Sequence, residues 1–220
     1  MTNTYPYRLD ELYNLPCKMD AEDRGRVYSE ILSGYAQNRK IDILEIGVFR
    51  AGLITGLHRY APQIVNSYTG IDPYIGDETD PYFKSYWKGQ KSEAETQYGK
   101  SLAIYNSLGG KLIRTTSDAF FSSAAETYDA IIVDGDHRVI PTIRDLRNSL
   151  DHLRPGGLLV CDDYGNPDTP EVTQGVIRFC EASGDFYDAA GFRPLWFQNA
   201  RKPAPIQLTV IYWRKKSTPQ

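Results

Sequence analysis

Short apolar runs that stop at an acid or a glycine recur along this chain, with amphipathic segments between them. That alternation limits the fold more than any other feature. The runs are IDILEIG (41–47), SYTGID (67–72), KLIRTT (111–116), YDAIIVD (128–134) and GLLVCDD (157–163). Apolar residues at helical spacing fill the intervals near 51–61, 92–108, 118–126, 138–153 and 171–183. A strand, a crossover helix and another strand return the chain in the same direction, so such units build a parallel sheet. Later in the chain, QLTVIYWRK (207–215) has strong β-propensity and no helix after it. A strand around 186–191 is expected to pair with it as a hairpin across the Pro-containing loop 194–205.

The expected architecture is α/β: a Rossmann-like, doubly wound, seven-stranded and mostly parallel sheet, its last strand antiparallel, with helices on both faces. At 220 residues, 41% of them hydrophobic, the chain supports one sizeable core and shows no repeat or long linker. We therefore expect one domain over 41–220 with a lid-like insertion at 73–91. An N-terminal extension, 1–40, precedes it; Val27, Ile31, Leu32 and Tyr35 fall at helical spacing there, and it is expected to cover a substrate or make a dimer contact. A net charge of −3 gives no basic field for nucleic acid or an anionic membrane. The mean hydropathy of −0.46 and the lack of a long apolar run argue against a membrane-spanning helix. MTNTYPYRLDELYNLPC has no secretory leader pattern, and Cys17, Cys161 and Cys180 are odd in number and lack metal-ligand spacing. Reduced cysteines in a cytoplasmic protein, assembled as a homo-oligomer, are the expectation.

Ligands of such sheets bind beyond the carboxyl ends of the strands, so the residues just after each run matter most. In LEIGVFRAG, Glu45, Gly47 and Gly52 straddle the first strand-to-helix turn. This is neither the G-x-G-x-x-G dinucleotide pattern nor a phosphate loop. An acid there suits a ligand with a positive amino group, or simply stands beside a tight turn. Asp72 ends the second run 25 residues after Gly47, where an acid commonly accepts bonds from both ribose hydroxyls; an Asp-Pro turn is the plainer alternative. Ser117 and Asp118 follow the third run, at an adenine edge if Asp72 holds a ribose, and Asp118 equally suits a helix N-cap. Asp134 follows the fourth run, and Asp162 with Asp163 the fifth. Neighbouring strands lie about 4.8 Å apart, so these carboxylates converge and need a cation to offset their repulsion. Oxygen-only ligands favour a hard divalent ion such as Mg²⁺.

LEIGVFRAG, GIDPY, TSDAF, DGDHR and CDDY, in this order, resemble a class I S-adenosylmethionine-dependent methyltransferase. More narrowly they look like the metal-dependent O-methyltransferases of macrolide sugars (macrocin and mycinamicin type) and their cephalosporin-pathway relatives. The resemblance covers roughly 41–165. It implies that Glu45 and Gly47 contact the methionine part of the cofactor, Asp72 the ribose, and Ser117 with Asp118 the adenine. Gly52 and Asp134 are counted on the cofactor side as well, and Asp134, Asp162 and Asp163 would hold Mg²⁺. Such an ion would bind a substrate hydroxyl and lower its pKa. Methyl transfer then needs alignment and removal of one proton, for which His137 is the best-placed base and Asp134 the alternative. A cap of the strand–helix turn is the plainer alternative for His137. Asp136 is expected to cap the next helix or pair with Arg138, while His58 and His152 are expected at the surface.

The segment 73–90 carries Tyr74, Tyr82, Phe83, Tyr86 and Trp87, rings suited to stack on a sugar or aromatic acceptor or else to pack on the sheet edge, with Lys84 and Lys88 near a charged group. Tyr5, Tyr7 and Tyr13, or Phe192, Trp196 and Phe197, are further candidates for a cover or a dimer contact. The expected function is Mg²⁺-dependent O-methylation of a small-molecule hydroxyl, with a sugar or glycosylated natural product foremost. The alternatives are a metal-independent methyltransferase with His137 as base, an NAD-using enzyme, and a non-catalytic relative. Nucleic-acid methylation is disfavoured by the lack of a basic stripe.

Overall fold

The computed structural model describes residues 21–75, 91–183, 187–197 and 206–216. Its elements are α1 (Ala21–Ala36), β1 (Ile41–Ile46), α2 (Gly52–Tyr60), a single 3₁₀ turn (Pro62–Ile64), β2 (Val65–Ile71), α3 (Lys91–Ser107) and β3 (Lys111–Ile113), then α4 (Ser117–Ser123), β4 (Tyr128–Val133), α5 (Val139–His152), β5 (Leu153–Tyr164), α6 (Pro170–Ser183), β6 (Tyr187–Phe197) and β7 (Ile206–Lys215). One sheet takes the order β3-β2-β1-β4-β5-β7-β6. Pairing is parallel from β3 to β5, and β7 runs antiparallel to both β5 and β6. The strand before the last one is longer than the sequence pattern indicates, so the connection narrows to 198–205, outside the described residues.

Alternation along the strands sorts side chains into two cores. Ile41, Ile43, Ala130, Ile132, Leu158 and Val160 meet α1, α2 and α3 on one face. Leu44, Ile46, Ile131, Val133, Leu159 and Cys161 meet α4, α5 and α6 on the other. Strand β4 is buried throughout, as its unbroken apolar run requires of a central parallel strand. Cys161 and Cys180 are free thiols in the second core; Cys17 lies outside the described residues.

Helix α1 is part of the globule. Val27, Tyr28, Ile31, Leu32 and Ala36 are buried in the first core, so the helical part of segment 1–40 serves packing; residues 1–20 are outside the described set. Its crossing with α2 is made by glycines: a β-carbon on Gly56 would lie 2.6 Å from the Gly25 Cα. At the amino end of the sheet, Asp129 accepts from Arg39, Arg154 and the Asp42 amide, and Arg154 also pairs with Asp42. The two helical histidines are not surface residues. His58 is half-buried, its Nε2 without a hydrogen-bond partner among the described residues. His152 is half-buried because α5 ends against α4: its ring packs on Phe121 at 4.6 Å and its nitrogens face the carbonyls of Asn148 and Ala124. Among the described residues no helix is long and apolar enough to cross a membrane.

Gly56→Val should push α1 off α2 and cost about 1–3 kcal/mol, as overpacking does. A thermal melt would read this as a drop of several degrees, and an unchanged midpoint would contradict the close crossing.

Candidate active site

Register builds the site. Ile71, Ile46, Val133 and Cys161 pair in one row across β2, β1, β4 and β5. The next residues, Asp72, Gly47 and Asp134, therefore leave the sheet side by side at its carboxyl edge, while β5 runs on through Asp162 and Asp163 to Tyr164. Gly47 has φ 87°, and a β-carbon on it would lie 2.0 Å from the Asp134 carbonyl oxygen. Glycine is needed here because the main chain at 134–135 crosses over the turn.

A cavity of about 310 Å³ opens along this edge. Gly47, Phe49, Asp72, Pro73, Thr115, Thr116, Ser117, Asp118, Asp134, Gly135, Asp136, Arg138, Pro141, Arg144 and Asp145 are among its walls. Of the residues expected at a cofactor, Gly47, Asp72, Ser117, Asp118 and Asp134 line it, whereas Glu45 and Gly52 do not. Glu45 shares the face of Ile41 and Ile43, where its Oε2 accepts from the hydroxyls of Tyr68 and Tyr105 at 2.9 and 2.6 Å. Burial and this carboxylate hold both phenols well above the usual tyrosine range. Tyr74 is likewise 1% exposed, packed on Tyr98 in the first core, so it is no open stacking platform. Tyr82, Phe83, Lys84, Tyr86, Trp87 and Lys88 fall outside the described residues, as do Tyr5, Tyr7 and Tyr13. Of Phe192, Trp196 and Phe197 the backbone alone is described, in β6.

Asp72 organises the turn after β1. Its Oδ2 accepts from the Val48 and Phe49 amides and its Oδ1 from the Tyr74 amide. Burial pushes its carboxyl up against the pull of these bonds. An ionised carboxylate has about four acceptor sites. Three are used, which leaves acceptor capacity for a hydroxyl of a ligand. Arg114 fixes the chain beyond it, with bonds to Glu95 and to the Pro73 and Tyr74 carbonyls.

The helix cap at α4 is Thr116, whose Oγ1 accepts from the Ala119 amide. Asp118 instead pairs with Arg144. Asp136 is bound by Arg138 through Nε, Nη2 and the backbone amide, so the Arg138 pairing is the alternative the structure adopts. Asp145, which gave no signal in the sequence beyond a helical charge, is 3% exposed in the cavity wall. Ser117 Oγ donates to its Oδ1 at 2.5 Å, and burial lifts its carboxyl to about 7.

At the β4–β5 side, Asp134, His137 and Asp163 each offer one ligand atom, all within 4.8 Å of one another. His137 Nε2 lies 3.4 Å from Asp134 Oδ1 and 3.5 Å from Asp163 Oδ2. Asp162 is outside this group; its Oδ1 accepts the Asp163 amide. The reason is a break in the alternation of β5. The β5–β7 register slips between Cys161 and Tyr164, and Asp163 takes φ 60°. That left-handed residue turns the second acid of the pair, rather than the first, towards Asp134. Left-handed backbone costs a non-glycine residue about 1 kcal/mol or more, and such strain gathers at functional sites.

Asp145 sets a pH-dependent stability. Its folded pKa is raised above the unfolded value of 3.8, so its contribution is most favourable below that value and is lost as pH rises to about 7. Asp145→Asn keeps an oxygen for Ser117 and should raise the melting temperature at pH 8 by more than at pH 5. Equal gains at both pH values would contradict the buried, raised carboxyl.

Residues 44–164, more than half of the chain, match the family described as "Methyltransferase domain". No curated protein matches this sequence. Among solved structures, an O-methyltransferase from Bacillus cereus in complex with S-adenosylhomocysteine is similar at a TM-score of 0.55 and 14% identity, over 96% of this chain and 92% of that one. The N-methyltransferase NodS from Bradyrhizobium japonicum WM9 aligns at 0.56 and 17% identity, over 87% of this chain and 96% of NodS. An rRNA methylase from Streptococcus thermophilus aligns at 0.52 and 14% identity, over 86% and 95%. At these identities the likeness establishes the fold, and the acceptors of those enzymes differ from one another. With a sheet of this order and a cavity across its carboxyl edge, the matched segment places the chain in the methyltransferase-domain family.

Proposed function

We propose that the protein moves a methyl group from S-adenosylmethionine to a hydroxyl of a small molecule, a sugar or glycosylated natural product, with help from a divalent cation such as Mg²⁺. The observation that carries this is the double membership of Asp134, which belongs both to the cavity wall and to the Asp134–His137–Asp163 cluster. A cofactor cavity and a candidate cation site sharing one carboxylate put a methyl donor beside an activated oxygen. Similar proteins from Bacillus cereus and Bradyrhizobium japonicum hold S-adenosylhomocysteine, the demethylated product of that donor. A net charge of −3 favours a small acceptor over nucleic acid.

The residues fit these groups. Asp134 and Asp163 bring carboxylate oxygens within 4.8 Å of each other, the donor type that suits a hard divalent ion, with His137 beside them as the base. Asp134 and Asp163 would hold it, and Asp162 supports Asp163 through the amide bond. The cavity volume is within the range of small-ligand sites. When bound, the sulfonium supplies the methyl group and the cation supplies positive charge beside the acceptor oxygen.

The chain does the rest by position and proton transfer. Asp72 accepts one ribose hydroxyl through its remaining site. His137 removes the acceptor's hydroxyl proton at Nε2, and the imidazolium so formed is paired by the two carboxylates that face it. The chain would thus hold a deprotonated acceptor oxygen at the cavity, where the donor, when bound, would give up its methyl group and be released as a neutral sulfide.

Purified protein supplied with S-adenosylmethionine and a panel of sugar hydroxyls should release S-adenosylhomocysteine, stop in EDTA and recover with Mg²⁺. Asp134→Asn and Asp163→Asn should each lower turnover by about 100-fold, in keeping with cation-site losses, while S-adenosylhomocysteine still binds. Asp162→Asn, which keeps an acceptor for the Asp163 amide, should lose less. Full turnover in EDTA would remove the cation and leave the second reading, a metal-independent transferase. The direct approach of His137 to both carboxylates favours that reading as the alternative.

A further inference from the structure

The cavity wall beyond β2 is held by a residue that is not part of it. Ile71 pairs with Ile113 in the β2–β3 ladder, so the next pair across the edge is Asp72 and Arg114. Main-chain bonds carry the ladder past the strands: the Asp72 amide donates to the Ile113 carbonyl, and the Thr115 amide to the Asp72 carbonyl. From that position the Arg114 guanidinium reaches in two directions. Its Nε and Nη2 donate to the Pro73 and Tyr74 carbonyls, each at 3.2 Å. Its Nη1 and Nη2 donate to both carboxylate oxygens of Glu95 in α3, at 2.8 and 2.7 Å. The guanidinium also lies 5.1 Å over the ring of Tyr98, on which Tyr74 packs at 5.3 Å. The turn so held is a strained one. Tyr74 has φ 46°, left-handed backbone that disfavours a residue with a β-carbon, and its amide makes the 2.7 Å bond to Asp72 Oδ1. Asp72 and Pro73 line the cavity, while Arg114 does not.

We propose that Arg114 is a positioning residue for the cavity: by tying Glu95 of α3 to the turn at Pro73 and Tyr74, it fixes the Asp72 carboxylate in the orientation that receives the methyl donor. This rests on the S-adenosylmethionine reading above and adds to it a residue that acts through Asp72 rather than on the ligand. The arrangement calls for arginine. Four N–H bonds run from one planar fork to three separate groups, a pattern that the compact ammonium of lysine cannot reproduce. The pair adds little to global stability, because the Arg114 and Glu95 side chains are 33% and 46% exposed and water screens their attraction. Its effect is local. Without the tie, Tyr74 can relax from its strained conformation, and the bond that orients Asp72 Oδ1 is lost with it.

The test is a calorimetric titration with S-adenosylhomocysteine, together with a thermal melt of each variant. Arg114→Met should weaken binding by about tenfold, the worth of one hydrogen bond to a charged group, and move the melting midpoint by about 3 °C or less. Arg114→Lys keeps the charge without the fork and should lose nearly as much affinity as Arg114→Met. Glu95→Gln leaves the bonds to the two carbonyls in place and should lose less. In an Asp72→Ala background, Arg114→Met should change the affinity by less than about twofold, because the two residues act through one contact. Should Asp72→Ala fail to fold or to bind, the comparison of Arg114→Lys with Arg114→Met decides. Native affinity in Arg114→Met, full recovery in Arg114→Lys, or a tenfold effect that persists without the Asp72 carboxylate overturns this assignment alone. A native protein that does not bind S-adenosylhomocysteine overturns the cofactor reading and this one with it.

Discussion

Where β1 ends, the main chain of Gly47 passes so close to Asp134 that any β-carbon would collide with its carbonyl oxygen. Two ladder-like bonds continue past the strands at this point: the Gly47 amide donates to Ile71 and the Asp134 amide to Ile46. Three strand ends are thus joined at one residue without a side chain. The turn after β1, the Asp72 carboxylate that receives its amides, and the loop bearing Asp134 and His137 all take their positions from this contact. The glycine is explained by the protein's own backbone before any ligand is considered.

The ends of β1, β2 and β4 are legible in the sequence because register is a local matter: each of these apolar runs stops where its strand stops, and the next residue stands at the carboxyl edge. Asp72 and Asp134 stand at such ends, and both line the cavity. Other placements depend on distant partners. Glu45 is taken inwards by tyrosines 23 and 60 residues away. Tyr74 sits among aromatics of the first core although its neighbours in sequence suggest a lid. Asp145 reads as one more charge on an amphipathic helix until Ser117 and the cavity are in view. Asp162 and Asp163 are identical as letters, and a slip in register late in β5 decides between them.

Charge is distributed by the same sheet to opposite ends. At the amino edge Asp129 and Asp42 are compensated by Arg39 and Arg154, so that edge is closed by its own ion pairs. At the carboxyl edge, Asp134 and Asp163 face each other across one imidazole. The amino edge is bound by guanidinium–carboxylate pairs, and the carboxyl edge gathers its acids around an imidazole at the mouth of the cavity.

The position of β7 has a consequence for how the molecule is made. It is later in sequence than β6, yet it lies between β6 and β5. While the chain grows from its amino end, β6 has no sheet neighbour until β7 has been synthesised and inserted, and the far edge of β5 stays open. The parallel half, which carries the cavity, can assemble first. Until β7 is inserted, β5 presents an unpaired edge, the kind of edge at which copies of a chain pair with one another.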